Sequence, residues 1–302
     1  MSRSAGVDHL HRSGAGVLSA AVKIVTDVLV FRLRKLEMAN MAAATSIAVT
    51  LGLAWHEVAW RTMFALVLNV LVYLNNDYID VAVDLQAGNK DAHKSQFLHQ
   101  NMRAALVAQV ALLAMLAVAA FMFDHGLLVP LLAGGGVCLW YSAQLKRQPI
   151  ADVMAMIAWG VTMPLCGVPL ESMVGLGGAL AIQLGLFSGV FECIQVMRDA
   201  DEDKLEGLRT TGVVLGQRRT LALTRVLMVS STAYALLVLH PAAAAVSAAA
   251  LVVPFLPDRL ETYWTRVKLI YGVAWLVICA LTFFSGQSAG LIGSIGLVNA
   301  GG

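Results

Sequence analysis

Three carboxylates end one of the apolar stretches of the chain, in the pattern Asn76-Asp77-x-x-Asp80-x-x-x-Asp84. Successive residues of an α-helix are 100° apart, so these aspartates share one stripe about 60° wide. Like charges on one stripe repel each other, and they become tolerable when a divalent cation lies among them. Mg²⁺ prefers carboxylate oxygens together with substrate phosphates. The pattern therefore predicts a Mg²⁺ site, although Asp84 alone is also explained as a solvated helix end.

A second group of carboxylates ends a later apolar stretch. Asp199 and Asp203 are four residues apart and therefore lie on one face of a helix. Glu192 lies deeper in the same stretch and only about 20° from Asp199 around the helix. A carboxylate within a membrane helix is by default a functional-site hypothesis. Glu192 could support the metal ligands, act as a general base, or be a protonated carboxyl paired with Gln195.

The elements that position these carboxylates are membrane helices. The chain has 302 residues, of which 59% are hydrophobic and 13% are charged, and its mean hydropathy is +0.74. Soluble proteins have about 25% charged residues, so this is an integral membrane protein. A net charge of +2 leaves no basic surplus for nucleic acid, and a soluble dehydrogenase is excluded as well. The four cysteines lack Cys-x-x-Cys spacing, which argues against a zinc site or a disulfide scaffold.

The hydropathy pattern predicts an all-α bundle of nine transmembrane helices, because each crossing needs about 20 mainly apolar residues. The predicted spans are residues 38–55, 62–85, 104–123, 127–142, 150–170, 173–197, 221–239, 241–256 and 269–286. Only His240-Pro241 marks a turn between the seventh and eighth spans. The tail after Gly286 either extends the last helix or lies along the membrane surface.

Basic residues predict the orientation, because Lys and Arg favour cytoplasmic loops. With nine spans and a cytoplasmic N-terminus, 20 of the 21 basic residues lie on the inner side, and only Arg61 lies outside. Both groups of carboxylates end even-numbered spans and therefore share that inner side. We expect a multi-pass protein of the cell inner (plasma) membrane, with its N-terminus and active-site loops in the cytoplasm.

The first 37 residues differ from the rest. Residues 17–37 carry five basic or acidic side chains among aliphatic ones before Glu37, so they do not form the uninterrupted apolar core of a signal peptide. We predict that residues 1–37 are a cytoplasmic or interfacial segment with an amphipathic helix. The alternative is that this helix forms the first turns of the first membrane span. Residues 38–302 then form one polytopic membrane domain.

The two acidic patterns resemble those of the UbiA superfamily of intramembrane prenyltransferases, N-D-x-x-D-x-x-x-D on helix 2 and D-x-x-x-D on helix 6. Tyr141 followed by Leu145-Lys146-Arg147 resembles the Tyr…Leu-Lys-Arg segment of that family, and Gly207-x-x-Thr210-Thr211 resembles its Gly-x-x-Thr. The resemblance covers nearly the whole chain. It implies a helical bundle around a central cavity, closed by a cytoplasmic cap.

The resemblance also implies the substrate, the metal and the residues that bind them. The expected Mg²⁺ ligands are Asp77, Asp80, Asp84, Asp199 and Asp203. Four of them, Asp77, Asp80, Asp199 and Asp203, are the expected catalytic residues, because the metal they hold neutralises the prenyl diphosphate as a leaving group. The expected substrate-binding residues are Asn76, Lys94, Tyr141, Lys146, Arg147 and Arg198. The basic ones are also explained as ordinary cytoplasmic loop residues, and Tyr141 as an interfacial anchor.

Two segments depart from the family pattern. Residues 89–95 lack the proline of the basic Arg-Pro segment that many members carry. Arg34 and Asn40 match the spacing of an early Arg-Pro…Asn signature, but Lys35 replaces its proline. In the family these segments shape the cap and the acceptor side, so the departures leave the acceptor undetermined and the diphosphate site intact.

The main functional expectation is a Mg²⁺-dependent transferase that moves an isoprenyl chain from its diphosphate to a small hydrophobic acceptor, which is an aromatic compound, a quinone precursor or a lipid. A membrane terpene cyclase of the same superfamily is the alternative that the altered loops suggest. A transporter with acidic rings is a third alternative. Carriers usually break helices near the midplane, whereas these carboxylates end helices on one side. The expected partners are the two substrates and the lipid bilayer, and not nucleic acid.

Overall fold

The computed structural model describes residues 14–35, 37–86, 92–286 and 290. Regular structure in this part of the chain is helical throughout. Twelve α-helices follow one another: α1 (Gly14–Arg34), α2 (Ala39–Thr50), α3 (Trp55–Gln86), α4 (Ala92–Gln100), α5 (Met102–Phe123), α6 (Gly135–Ala143), α7 (Ala151–Thr162), α8 (Leu176–Arg198), α9 (Ala200–Leu205), α10 (Thr211–Tyr234), α11 (Pro241–Ala248) and α12 (Leu260–Ser285). The predictions for residues 1–13 and for most of the tail after Gly286 lie outside the described residues.

Within the described residues, six helical segments are long and apolar enough to cross a membrane. They are Trp55–Ala82, Met102–Phe123, His125–Ala143, Leu176–Arg198, Thr211–Leu239 and Pro257–Ser285. Shorter apolar helices cover Ala151–Gly167 and Pro241–Val252. The 12 residues of α2 extend about 18 Å, less than the roughly 30 Å of hydrocarbon. The prediction of an all-helical multi-pass membrane protein is confirmed, and the count of nine stays a prediction.

Several helices begin earlier than the sequence pattern indicated. Helices α3 and α12 begin at Trp55 and Leu260, seven and nine residues before the predicted spans, whereas α10 begins at Thr211 but is kinked at Gly216, where φ is 71°. Arg61 of α3 is buried and paired with Asp124, and the charged residues in the first turns of α12 are exposed, so these charges do not interrupt the helices. Boundaries drawn at the charged residues were therefore wrong for α3 and α12.

Helix α1 is separate from α2, because α1 ends at Arg34 and α2 begins at Ala39. Its apolar face packs on α3 and α5, with Ile24 and Val28 buried beside Leu74 and Ala105. This packing directs the end of α1 toward the acidic part of α3. Helix α1 is therefore a separate helix from α2, and its placement in the membrane interface stays a prediction.

Helix α8 lies at the centre of the bundle and carries the second group of carboxylates at its end. About two thirds (67%) of its membrane segment is buried, against 17% for Met102–Phe123. It packs between α7 and α10. A Cβ atom at Gly185 would lie 2.9 Å from the Ile157 carbonyl oxygen of α7, so glycine permits this close contact. The position of the second acidic group is therefore fixed by tight helix packing.

A buried arginine fastens the opposite end of the bundle. Arg61 Nη1 donates to the carbonyl oxygens of Cys166 and Val168 at 3.3 and 3.2 Å, and Nη2 forms an ion pair with Asp124. These contacts join the first turns of α3 to the segments that follow α5 and α7. Arg61, the one basic residue expected outside, thus has a structural role.

Candidate active site

Asp77 of α3 is held between two cations. Arg32 Nη2 lies 2.8 Å from Asp77 Oδ1, and Lys94 Nζ lies 2.6 Å from Asp77 Oδ2. Arg32 comes from α1 and Lys94 from α4, and the Asp77 residue is only 7% exposed. The structure therefore brings the predicted Lys94 to the first acidic motif and adds Arg32.

Arg32 is a site residue that the sequence did not identify. Its Nη1 lies 2.5 Å from Glu37 Oε2, and its guanidinium lies 4.2 Å from the ring centre of Tyr73. The Tyr73 hydroxyl donates to the Glu37 carbonyl oxygen at 2.6 Å. Burial lowers the pKa of Arg32, but Asp77 and Glu37 outweigh it, so this pKa is raised. The sequence shows that α1 carries several basic residues, but their spacing does not indicate that one of them contacts α3.

The end of α6 and the segment that follows it contact Asn76 and Asp80 of the first motif. Lys146, in a short 3-10 turn, forms an ion pair with Asp80. The Ser142 hydroxyl donates to Asn76 Oδ1 at 2.8 Å. Predicted residues from two distant parts of the sequence thus meet here. The backbone of Asp84 belongs to α3, and its side chain lies outside what the structure describes.

The second acidic motif is divided between two helices. Helix α8 ends at Arg198, Asp199 follows as its C-cap, and Asp203 lies in the short α9. The expected single helix is therefore interrupted, although the Asp203 N–H still donates to the Asp199 carbonyl oxygen at 2.9 Å. Arg198 forms the forked contact expected of it, but with Asp199, at 2.7 and 3.1 Å.

Asp203 lies close to other negatively charged residues that disfavour its ionised form. Partial burial raises its pKa, and the negative charges of Asp199 and Glu206 act in the same direction. The Thr210 hydroxyl donates to Asp203 Oδ2 at 2.8 Å and opposes this effect in part. A cation bound at this carboxylate would relieve the repulsion.

Helix α6 connects the two acidic helix ends through adjacent residues. Ser142 contacts Asn76 of α3, while the Tyr141 hydroxyl donates to Glu192 Oε1 of α8 at 3.0 Å. Glu192 is 4% exposed, and its described partner is Tyr141 rather than Gln195. The end of α6 therefore lies between the two motifs, at the same end of the bundle.

The carboxylate oxygens of the two acidic motifs are the type of ligand that a hard divalent cation prefers. In the described residues, however, they do not form a coordination sphere. Within the described residues, no three His, Cys, Asp or Glu side chains converge on a metal position. Instead, basic side chains neutralise Asp77, Asp80 and Asp199. Carboxylate oxygens beside phosphate-binding cations are the ligand set that Mg²⁺ with a diphosphate requires. Arg147 is exposed and has no side-chain ion pair in the described part of the chain.

A second residue that the sequence did not identify is Asp152, at the start of α7. It is completely buried, and its carboxylate accepts hydrogen bonds from Thr211 of α10. Asp152 is the only charged residue in the predicted span 150–170, and this could have identified it from the sequence. The partner could not be predicted, because it lies 59 residues away.

Solved structures of similar fold come from Archaeoglobus fulgidus. A UbiA homologue bound to DMAPP and Mg²⁺ is 17% identical with a TM-score of 0.55, covering 87% of this chain and 93% of that chain. The homologue bound to GPP and Mg²⁺ is 16% identical with a TM-score of 0.54, covering 93% and 95%. These likenesses show a shared fold.

A similar sequence is the digeranylgeranylglyceryl phosphate synthase of Halobacterium salinarum, 28% identical over 152 residues. The matched region is 50% of this chain and 49% of the relative, so the chain spans about half the length of the relative it matches. The model of the UbiA prenyltransferase family matches residues 38–275. Because this match includes both acidic motifs and most of the sequence, the chain belongs to the UbiA prenyltransferase family.

Proposed function

We propose that this protein is a Mg²⁺-dependent transferase that moves an isoprenyl chain from its diphosphate to a small hydrophobic acceptor within the membrane. The observation that carries the proposal is the pairing of Asp77 and Asp80 of α3 with Arg32, Lys94 and Lys146, at the end of the bundle where α8 ends in Asp199. The DMAPP, GPP and Mg²⁺ bound to the A. fulgidus homologues support this donor class. The H. salinarum relative is a digeranylgeranylglyceryl phosphate synthase, whose product carries prenyl chains, and this supports transfer of a prenyl chain to an acceptor.

The carboxylates and the cations have complementary tasks. The proposed Mg²⁺ ligands are Asp77, Asp80, Asp84, Asp199 and Asp203, and the proposed diphosphate contacts are Arg32, Asn76, Lys94, Tyr141, Lys146, Arg147 and Arg198. Bound Mg²⁺ supplies Lewis-acid neutralisation of the leaving diphosphate. The lysines and arginines that neutralise carboxylates here are then close enough to contact phosphate oxygens, arginine in a forked manner and lysine as a point charge.

The bond changes are those of an allylic substitution. The bond between C1 of the prenyl chain and the diphosphate oxygen breaks, and its electron pair leaves with the diphosphate. The acceptor supplies the electron pair of the new bond and loses a proton. Buried apolar residues beside the site, among them Leu74 and Val81 of α3, reduce the access of water, which would otherwise capture an allylic cation.

The proposal includes a membrane arrangement. Residues 1–37 form a cytoplasmic or interfacial segment, and residues 38–302 form a nine-helix domain with a central cavity and a cytoplasmic cap. The six long apolar helices support a multi-pass protein. The basic residues around both acidic helix ends support placing the site on the cytoplasmic side of the inner membrane.

The test separates a transferase from a terpene cyclase. Detergent-purified protein is incubated with Mg²⁺ and labelled geranyl, farnesyl or geranylgeranyl diphosphate, with and without aromatic, quinone-precursor and lipid acceptors. The proposal expects turnover that requires an acceptor and yields a prenylated product. Release of diphosphate together with a cyclic hydrocarbon or alcohol in the absence of acceptor would overturn it in favour of the cyclase.

A further inference from the structure

Asp152 joins the beginnings of α7 and α10. Its Oδ2 accepts from the Thr211 backbone N–H at 2.7 Å, and its Oδ1 accepts from the Val153 N–H at 2.8 Å and from the Thr211 hydroxyl. The carboxylate is fully buried and has donors on both oxygens. Its negative charge also lies in the first turn of α7, where the positive end of the helix favours it.

Thr211 extends this contact to the turn before α7. Its Oγ1 accepts from the Ile150 N–H at 2.6 Å while donating to Asp152. Ile150 has a φ of 69°, which is costly for a β-branched residue. The hydroxyl of Thr211 therefore holds a turn that the chain would otherwise not favour.

Both sides of this contact lead directly to site residues. Lys146, which pairs with Asp80, lies four residues before Ile150. Thr210, which donates to Asp203, is the neighbour of Thr211. The two segments between Lys146 and Ile150 and between Asp203 and Thr210 are therefore fixed to each other by one buried link.

The start of α10 is in turn fixed to α8. A Cβ atom at Gly212 would collide with the Val196 carbonyl oxygen, so the α10 backbone lies directly on α8. The Thr211 hydroxyl thus connects the Lys146 segment to a rigid part of the bundle. A shift of about 1 Å in the position of a catalytic group can cost about 100-fold in rate.

We propose that Asp152 and Thr211 are positioning residues that set the separation between Lys146 and Asp203 and so shape the diphosphate site. This inference rests on the proposed function. A carboxylate is suited to the task because all three of its partners are donors, whereas an asparagine amide would place a donor against a donor. Neither residue needs to touch the substrate.

The test uses Thr211→Val, which removes the hydroxyl at almost constant shape, and Thr211→Ser, which keeps it. The matched control is Thr224→Val, because Thr224 is also a buried threonine of α10, and its hydroxyl bonds to Thr220 O of its own helix and to Cys193 of α8 but not to the Lys146 segment. Each full-length variant is measured for Mg²⁺-dependent binding of inorganic diphosphate, for the KM of prenyl diphosphate and acceptor, and for thermal unfolding.

The expected result is a rise of about tenfold in the Kd of diphosphate and in the KM of prenyl diphosphate for Thr211→Val. The KM of the acceptor should not change, and Thr211→Ser should stay within about twofold of the wild type. Unchanged diphosphate binding in Thr211→Val would overturn the proposal. An equal loss in Thr224→Val at an equal decrease in Tm would also overturn it, because general destabilisation would then explain both.

Hydrogen exchange separates this inference from the proposed function. Without ligand, Thr211→Val should accelerate exchange in both the 145–150 and the 203–211 segments, and Thr224→Val should not. If exchange accelerates but the wild type binds no diphosphate, the proposed function fails and the link is only structural. If the wild type binds diphosphate but exchange in the variant is unchanged, the link fails and the proposed function stands.

Discussion

Arg32 and Arg34 are two residues apart, but only Arg32 contacts the first acidic motif. Arg34 matches the spacing of an early family signature, yet it is exposed, while Arg32 pairs with Asp77. We expect Arg32→Gln to raise the KM of prenyl diphosphate by about tenfold, the value of one charged hydrogen bond. Arg34→Gln should leave it unchanged. The opposite ranking in steady-state kinetics would show that the signature and not the contact marks the functional residue.

Asp203 should limit stability in the metal-free protein. Its pKa is raised in the folded state, so its ionised form destabilises the fold at pH values above the ordinary aspartate pKa. Asp203→Asn should therefore raise Tm by on the order of 1 °C at pH 7 without Mg²⁺, while prenyl turnover is lost. The difference in Tm should shrink as the pH is lowered and wild-type Asp203 becomes protonated. A Tm below that of the wild type at pH 7 would contradict this account.

The carboxylates of the site could be predicted because each motif lies within one helix or its continuation, where spacing determines the shared face. Their partners could not be predicted in this way. Arg32 reaches Asp77 from another helix 45 residues away, and Asp152 reaches Thr211 across 59 residues. Such pairs depend on how the helices pack, and local periodicity does not contain that information.

The contact between α7 and α8 fixes the second acidic motif, and glycine makes it possible. Gly185→Ala would place a Cβ 2.9 Å from the Ile157 carbonyl oxygen, which cannot move without shifting α7. We expect a loss of about 1 to 3 kcal/mol, measured by thermal or denaturant unfolding in detergent.

Gly272→Ala is the matched control in α12, where an added Cβ meets nothing within 4 Å. It should be neutral or stabilising by up to about 1 kcal/mol, because alanine is the better helix former. Equal destabilisation by both substitutions would mean that helix propensity in the bilayer, and not the close contact, governs these positions.

Helix type and order followed from the sequence, but helix length did not. Long apolar runs predicted α5 and α8 nearly to their ends, because charge and helix boundary coincide there. Helix α2 ends at Thr50, five residues before the predicted end of that span, and Gly52 then turns the chain with a φ of +70°. For α12 the charged residues Glu261, Arg266 and Lys268 lie on the helix itself.

The orientation of the whole molecule can be tested at two exposed positions on opposite sides. Trp55, at the start of α3, is 78% exposed, and Leu205, at the end of α9, is 89% exposed. In a background without the four native cysteines, a membrane-impermeant maleimide should label Trp55→Cys in intact cells. Leu205→Cys should react only after permeabilisation. Labelling of both variants in intact cells, or of Leu205→Cys alone, would contradict the cytoplasmic placement of the site.

We propose that the acidic ends of α3 and α8 together hold Mg²⁺ and a prenyl diphosphate. The most direct measurement is binding of unreactive geranyl, farnesyl and geranylgeranyl thiolodiphosphates to purified protein, with and without Mg²⁺. The wild type and the exposed-residue control Asp258→Asn should bind at least one of them only with Mg²⁺. Asp77→Asn and Asp199→Asn should each lose that binding. Binding that does not need Mg²⁺, or that survives in both variants, would contradict the account.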